Sequence, residues 1–164
     1  MGAGKTTVGK RLAEVRGLEF VDSDHEIEAR TGVDIPFIFE KEGEAGFRKR
    51  EKLVIADVTA RQQIVLATGG GVILDPDNRQ WLSARGLVVY LHANVAQQLQ
   101  RTARGEGRPL LNESSNRRET LEQLFSARDP LYREIADLVL DTDGRNARLL
   151  AREVEEYLGR SATA

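Results

Sequence analysis

Cysteine is absent from the 164 residues, and histidine occurs only at His25 and His92. Disulfides, thiolate catalysis and cysteine-ligated zinc are therefore excluded, and so is a histidine-rich metal site. Aromatic residues make up only 5%, so the core must be mostly aliphatic. There is no large excess of either charge. The formal net charge is −2, from 24 basic and 26 acidic residues, which argues against a general nucleic-acid binder. A small anionic substrate stays possible, because a few arginines converging on one cleft suffice. No apolar run approaches the roughly 18 residues needed to span a bilayer. The start, Met1-Gly2-Ala3-Gly4-Lys5-Thr6-Thr7, has no apolar core of a signal peptide, so a cytoplasmic, membrane-free protein is expected.

What is present is an ordinary globular balance, 40% hydrophobic and 30% charged, of a length that fits one domain over 1–164. Helices and strands alternate. Thr6 to Arg16 reads as a helix with Val8, Leu12 and Val15 on one face and Gly17 as its stop. Leu18 to Val21 is a short apolar run leading into Asp22-Ser23-Asp24. His25 to Arg30 starts a second helix, stopped near Gly32. Asp34 can cap a short helix with Pro36 in its first turn, and Phe47 to Arg61 is a longer one with Phe47, Val54 and Val58 inward. Ile64 to Thr68, Leu87 to Leu91 and Leu138 to Leu140 are continuous apolar runs, as strands buried on both faces should be. A last helix runs from about Asn146 to Leu158. Trp81 is expected to pack a helix against the sheet. The pattern predicts a parallel sheet with helices on both faces, a three-layer α/β/α fold. Arg104 to Glu119, rich in Gly, Asn, Ser and Arg, reads as a mobile loop.

Gly2-Ala3-Gly4-Lys5-Thr6 is the end of the phosphate-loop pattern G-x-x-x-x-G-K-[ST]. Glycines let backbone N–H groups turn inward around an anion, and the following helix points its positive N-terminus at the same anion. Lys5 would reach the β- and γ-phosphates of a nucleotide, and the Thr6 hydroxyl would ligate Mg²⁺. The first Gly of the pattern would lie two residues before Met1, and the strand that leads into such a loop is missing. A chance tripeptide at a helix start is the alternative; a phosphate loop whose upstream strand lies outside this sequence is the expectation.

Asp22 and Asp24 fall at the carboxyl end of a strand, where ligands bind in open α/β sheets. Two carboxylates two residues apart on an extended chain point the same way. One can serve Mg²⁺ and the other can accept the proton of an acceptor hydroxyl. The alternative is a pair of helix N-cap acids. A calcium loop fits poorly, with Ile27 and Val33 at the positions that would need Gly and Glu. Gly69-Gly70-Gly71 follows a buried strand and presents bare N–H groups to a ligand; a flexible turn is its alternative. It lacks the G-x-G-x-x-G spacing of a dinucleotide loop. Arg48 lies in the charged run Arg48-Lys49-Arg50-Glu51-Lys52 and alone reads as a solvated helix face. Arg128 alone is equally unremarkable. Neither histidine finds a motif partner, and a surface or capping role is expected for each.

Five segments in order resemble the shikimate kinase family. They are the phosphate loop, Phe20-Val21-Asp22-Ser23-Asp24, Gly43-Glu44-x-x-Phe47-Arg48, Thr68-Gly69-Gly70-Gly71, and Arg108-Pro109-Leu110-Leu111 with Arg128-x-x-Leu131-Tyr132. The lysine loop alone is a weak signal; the set is a strong one and spans essentially the whole chain. The resemblance implies a P-loop fold of the nucleoside-monophosphate-kinase type, strand order 2-3-1-4-5, with strand 1 absent from this sequence. It implies transfer of the γ-phosphoryl group of ATP to shikimate, with Mg²⁺, in aromatic amino-acid biosynthesis. By resemblance, Gly2 to Thr7 hold ATP, Thr6 and Asp22 the metal, and Asp24 the acceptor hydroxyls as candidate base. Arg48 and Arg128 take the substrate carboxylate, and Gly69 to Gly71 touch the acceptor. Arg108 lies in a lid, about 104–119, that would bring positive charge to the γ-phosphate. Arg101 and Arg145 flank the adenine; Ala147 stands where some relatives have Pro, and Phe37 where a polar residue is expected. Phe39 and Phe47 supply apolar walls. A monomer is implied.

Two rivals remain at this point. One is another small-metabolite kinase, such as a gluconate kinase. The other is a P-loop protein of little activity, because a sheet without its central strand has two unpaired edges facing each other.

Overall fold

The computed structural model describes residues 2–102 and 116–161, the last without its side chain. Seven α-helices and four strands are seen among them: α1 Lys5–Arg16, β1 Glu19–Asp22, α2 Ser23–Thr31, α3 Ile35–Val58, β2 Ile64–Ala67, α4 Pro76–Arg85, β3 Val89–His92, α5 Val95–Thr102, α6 Arg117–Ile135, β4 Leu138–Asp141 and α7 Ala147–Ser161. A 3₁₀ helix spans Gly70–Leu74.

The strands form two parallel pairs. β1 lies beside β2, with Glu19 opposite Ile64 and Asp22 opposite Ala67. β3 lies beside β4, with Val89 opposite Leu138 and His92 opposite Asp141. Parallel neighbours need crossover connections, and helices supply them. Among the described residues β2 and β3 do not pair. A cavity of about 680 Å³ separates them, lined by Ile64, Val65 and Leu66 of β2 and by Val89, Tyr90 and Leu91 of β3. The two unpaired edges expected from the sequence thus face each other across an apolar gap.

Each pair has its own hydrophobic cluster. Val21, Ile27, Ile38, Phe47, Val54, Ile55, Val58 and Val72 pack β1 against α2, α3 and the 3₁₀ helix. Val8, Leu91, Leu140, Leu150, Ala151 and Val154 pack β3 and β4 against α1 and α7. Trp81 of α4 packs against the first cluster, as expected.

Most expected elements are present, with shifted ends. Val15 departs from the expected inward face of α1 and is 54% exposed; Ala13 is buried instead. The two helices expected around residue 43 are joined into α3 across a kink, because Gly43 adopts φ 69°, ψ −177°, a region open essentially to glycine alone. The loop expected at 104–119 ends earlier: Asn116 caps α6 by accepting from the Glu119 N–H, so Arg117 onward is helical. Positions 104–115 lie outside the described residues.

Candidate active site

The phosphate loop is shaped by two glycines in the left-handed region, Gly2 at φ 64° and Gly4 at φ 87°. Gly4 is the N-cap of α1, so the free N–H groups of the first turn open toward the loop. Lys5 and Thr6 follow at once in that turn. The Thr6 hydroxyl donates to Asp22 Oδ2 at 3.4 Å.

Asp22 ends β1 and caps α2: its Oδ1 accepts from the N–H of Asp24 at 3.0 Å and of His25 at 3.4 Å. The N-cap alternative is therefore realised for Asp22, and it leaves Oδ2 turned to Thr6. Asp24 sits in the first turn of α2, so the two carboxylates do not share one extended segment. A strand-to-helix turn, not strand alternation, brings both to one cavity. Asp24 Oδ1 is buried with no hydrogen-bond partner. Burial, with the Asp22 charge adding to it, pushes the Asp24 carboxyl above the usual carboxylate range, while Lys5 and Arg48 pull it down.

Each glycine of the 69–71 segment lets one or two side chains of the site pack against the backbone. A methyl group on Gly69 would meet Asp24 Oδ1 at 2.6 Å and Glu51 Oε1 at 3.2 Å. On Gly70 it would meet Arg128 Nη1 at 3.2 Å and the Tyr132 hydroxyl at 3.3 Å. On Gly71 it would overlap the Arg48 guanidinium. None of the three has a positive φ, so glycine is required here for close approach, not for backbone freedom. The Gly69 N–H donates to the Ser23 hydroxyl at 3.1 Å, which fastens the loop to α2.

Arg48 donates through Nη1 to Glu51 at 2.7 Å and through Nη2 to Glu44 at 3.0 Å. Glu51 is 1% exposed and its Oε1 has no partner. Burial pushes its carboxyl up, against the pull of Arg48. Arg128 is 6% exposed, and its Nε likewise has no partner. Two guanidiniums and two carboxyls thus meet in one place with unsatisfied donors and acceptors. Buried polar atoms without partners are costly, and a ligand with both hydroxyls and a carboxylate could satisfy them.

A single cavity of about 490 Å³ collects these parts. Gly2 to Thr7, Asp22, Asp24, Arg48, Gly69 to Gly71, Arg101 and Arg128 all line it, with Phe39 and Phe47 as apolar wall. Their rings are 4.9 Å apart. Arg101 donates to the Gly2 carbonyl at 3.1 Å and to Thr142. Arg145 does not line this cavity and instead pairs with Glu153 at 2.8 Å. Arg108 lies outside the described residues. Phe37 is 45% exposed, under the Lys41 ammonium. His92 does find partners: Asp141 at 3.6 Å and the rings of Tyr90 and Phe125.

Glu51 and Tyr132 carry no role in the sequence reading. The signal for Glu51 was present: Phe47, Glu51, Val54, Ile55 and Val58 follow one helical stripe, all buried. A charge on such a stripe is not a solvated face. Arg128 is placed alike, seven residues after the fully buried Leu121.

A family model described as shikimate kinase matches residues 1–159. The chain is 55% identical over 163 residues to the shikimate kinase of Methylococcus capsulatus, which covers 99% of this chain and 90% of that protein. It is 56% identical over 154 residues to that of Acinetobacter baylyi, covering 94% of this chain and 85% of that one. Among solved structures, the shikimate kinase from Acinetobacter baumannii in complex with shikimate superposes with a TM-score of 0.95 at 53% identity, covering 98% of this chain and 89% of that one. The shikimate kinase of Aquifex aeolicus superposes with a TM-score of 0.85 at 31% identity, covering 99% and 94%.

Proposed function

The chain belongs to the shikimate kinase family, and on that premise we propose that it converts ATP and shikimate to ADP and shikimate 3-phosphate. The observation that carries this is the seating of Asp24, Arg128 and Arg48 on Gly69, Gly70 and Gly71, in the cavity that also holds the phosphate loop. An acceptor with hydroxyls and a carboxylate matches that set, hydroxyls toward Asp24 and carboxylate toward the two guanidiniums, which favour bidentate contact.

In this mechanism the acceptor hydroxyl oxygen attacks the γ-phosphorus, the bond to the ADP oxygen breaks, and the hydroxyl proton leaves to Asp24. Catalysis is mostly positioning and charge neutralisation. The phosphate-loop N–H groups and Lys5 hold the phosphates, and Arg101 braces the loop through Gly2. The raised affinity of Asp24 for a proton suits a base that must take one late in the transfer. Arg108 is assigned positive charge at the γ-phosphate by resemblance, and Arg145 a place beside the adenine.

Thr6 and Asp22 fit a magnesium ion: both are hard oxygen donors, and Asp22 Oδ2 is not used in capping α2. Among the described residues no group of three His, Cys, Asp or Glu could hold a metal, which suits an ion that keeps waters and substrate phosphates as ligands. When bound it would neutralise charge on the β- and γ-phosphates. No helix among the described residues is long and apolar enough to cross a membrane. A single kinase domain acting as a cytoplasmic monomer completes the proposal.

Arg48→Ala tests the substrate assignment. Loss of a charged hydrogen-bonding partner costs roughly 1.5–3 kcal/mol, so the KM for shikimate should rise about tenfold to a hundredfold while nucleotide affinity holds. An unchanged shikimate KM would refute the assignment.

A further inference from the structure

Tyr132 closes the Arg128-x-x-Leu131-Tyr132 segment and does not itself line the candidate site cavity. It lies four residues after Arg128 on α6, so both side chains leave the same helical face. Its hydroxyl donates to the Gly70 carbonyl oxygen. The same hydroxyl lies 3.3 Å from where a Gly70 methyl would be, and Arg128 Nη1 lies 3.2 Å from that same point. Burial pushes the Tyr132 phenol above its ordinary range, against the pull of the adjacent Arg128 guanidinium, so the hydroxyl keeps its proton and remains a donor.

The ring behind that hydroxyl is braced. It packs on Tyr90 of β3 with centroids 4.8 Å apart. The Tyr90 hydroxyl donates to Asp129 at 2.8 Å, and Arg133 Nε donates to the same carboxylate at 2.9 Å. One turn of α6 is therefore tied to β3 by Asp129 and to the glycine loop by Tyr132. Arg128 lies on this turn with its Nε unpartnered. A carbonyl held from one side fixes the plane of its peptide, and hence the direction of the next N–H. Here that is the N–H of Gly71, beside Arg48.

We infer that Tyr132 is a positioning residue: its hydroxyl fixes the Gly70–Gly71 peptide and the Arg128 guanidinium together, so that both present donors to the carboxylate of the acceptor. The inference rests on the assignment of Arg128 to that carboxylate. Tyr90 supports the ring and takes no part at the anion.

Tyr132→Phe removes the oxygen and keeps the ring. The expected result is a KM for shikimate raised about tenfold, with kcat and the KM for ATP each within about threefold and a thermal midpoint close to the parent. The increase should shrink to near onefold for a shikimate analogue whose carboxylate is replaced by a hydroxymethyl group, an outcome a purely structural role would not give. Tyr90→Phe keeps the supporting ring and loosens only the Asp129 tie, so it should raise the shikimate KM by less than Tyr132→Phe does. An unchanged shikimate KM in a folded Tyr132→Phe protein overturns the inference while the parent's activity on shikimate stands. So does an equal penalty with the analogue, or a variant that no longer folds, since either makes the hydroxyl structural. Failure of the parent to phosphorylate shikimate would instead refute the underlying assignment, and this inference with it.

Discussion

Asp24 holds a buried carboxylate oxygen without a partner in the cavity that also holds the phosphate loop. Its folded-state affinity for a proton is raised, chiefly by burial. A carboxyl of that kind favours the folded state at low pH and costs it stability as pH rises past the unfolded value and through the folded one. Where it is ionised, the group is thus a cost to the fold. Asp24→Asn should lower turnover by about a hundred- to ten-thousand-fold while ATP still binds. Measured without nucleotide or metal at pH 7, its thermal midpoint should be no lower than the parent's. A clear fall in the midpoint would mean that the carboxylate is held by stabilising contacts. The charged run at 48–52 carries a second lesson at this scale. Its residues look interchangeable in the sequence, yet Arg48 and Glu51 point into the site while Arg50 pairs with Glu42, and Lys52 with Asp75 and Asp77.

Between elements, α2 and the end of α3 are joined by a network outside the site. Glu26 takes Arg30 and Arg61, each at 2.8 Å, and Asp57 takes the same two arginines. The hydrogen bonds from Arg30 and Arg61 hold both carboxyls below their ordinary values. Such groups add stability above the unfolded pKa that is lost as pH falls through the folded one. The thermal midpoint should therefore decline as pH drops from the ordinary carboxylate range downward. Asp57→Asn should make that decline shallower in a melting series across pH. The groups are exposed, so the effect is modest and weakens with salt. A slope unaltered by the substitution would remove the network from the account. Element identity was largely legible in the sequence because apolar runs and capping residues are local: Gly17 stops α1, and Asp34 caps α3 by accepting from the Phe37 N–H. The joining of two helices across Gly43 was not, since a kink and a chain break leave the same glycine in the sequence. The end of α5 and the start of α6 flank a polar stretch, and short polar segments carry no period to read. The residues proposed for the acceptor stand out in the sequence only as an ordered set of motifs. The packing of each on its own glycine is a tertiary fact, invisible to spacing.

Across the whole molecule, two half-sheets with separate hydrophobic clusters face each other over an apolar gap of about 680 Å³. Lys5, Gly70 and Arg128 are among the residues that line both that gap and the candidate active-site cavity, so the two share walls. Unpaired strand edges also invite pairing with other chains. Fusing an apolar strand of about five or six residues, ending in Gly-x, ahead of Met1 should raise the thermal midpoint and slow amide exchange in β2 and β3. It should also raise specific activity. No gain in any of these would mean that the gap costs the fold nothing. The central claim concerns chemistry, and an acceptor panel with the purified chain tests it most directly. With ATP and Mg²⁺, ³¹P spectra should show a phosphate monoester formed from shikimate and none from gluconate. A product from gluconate alone, or transfer to neither acid, would contradict the account.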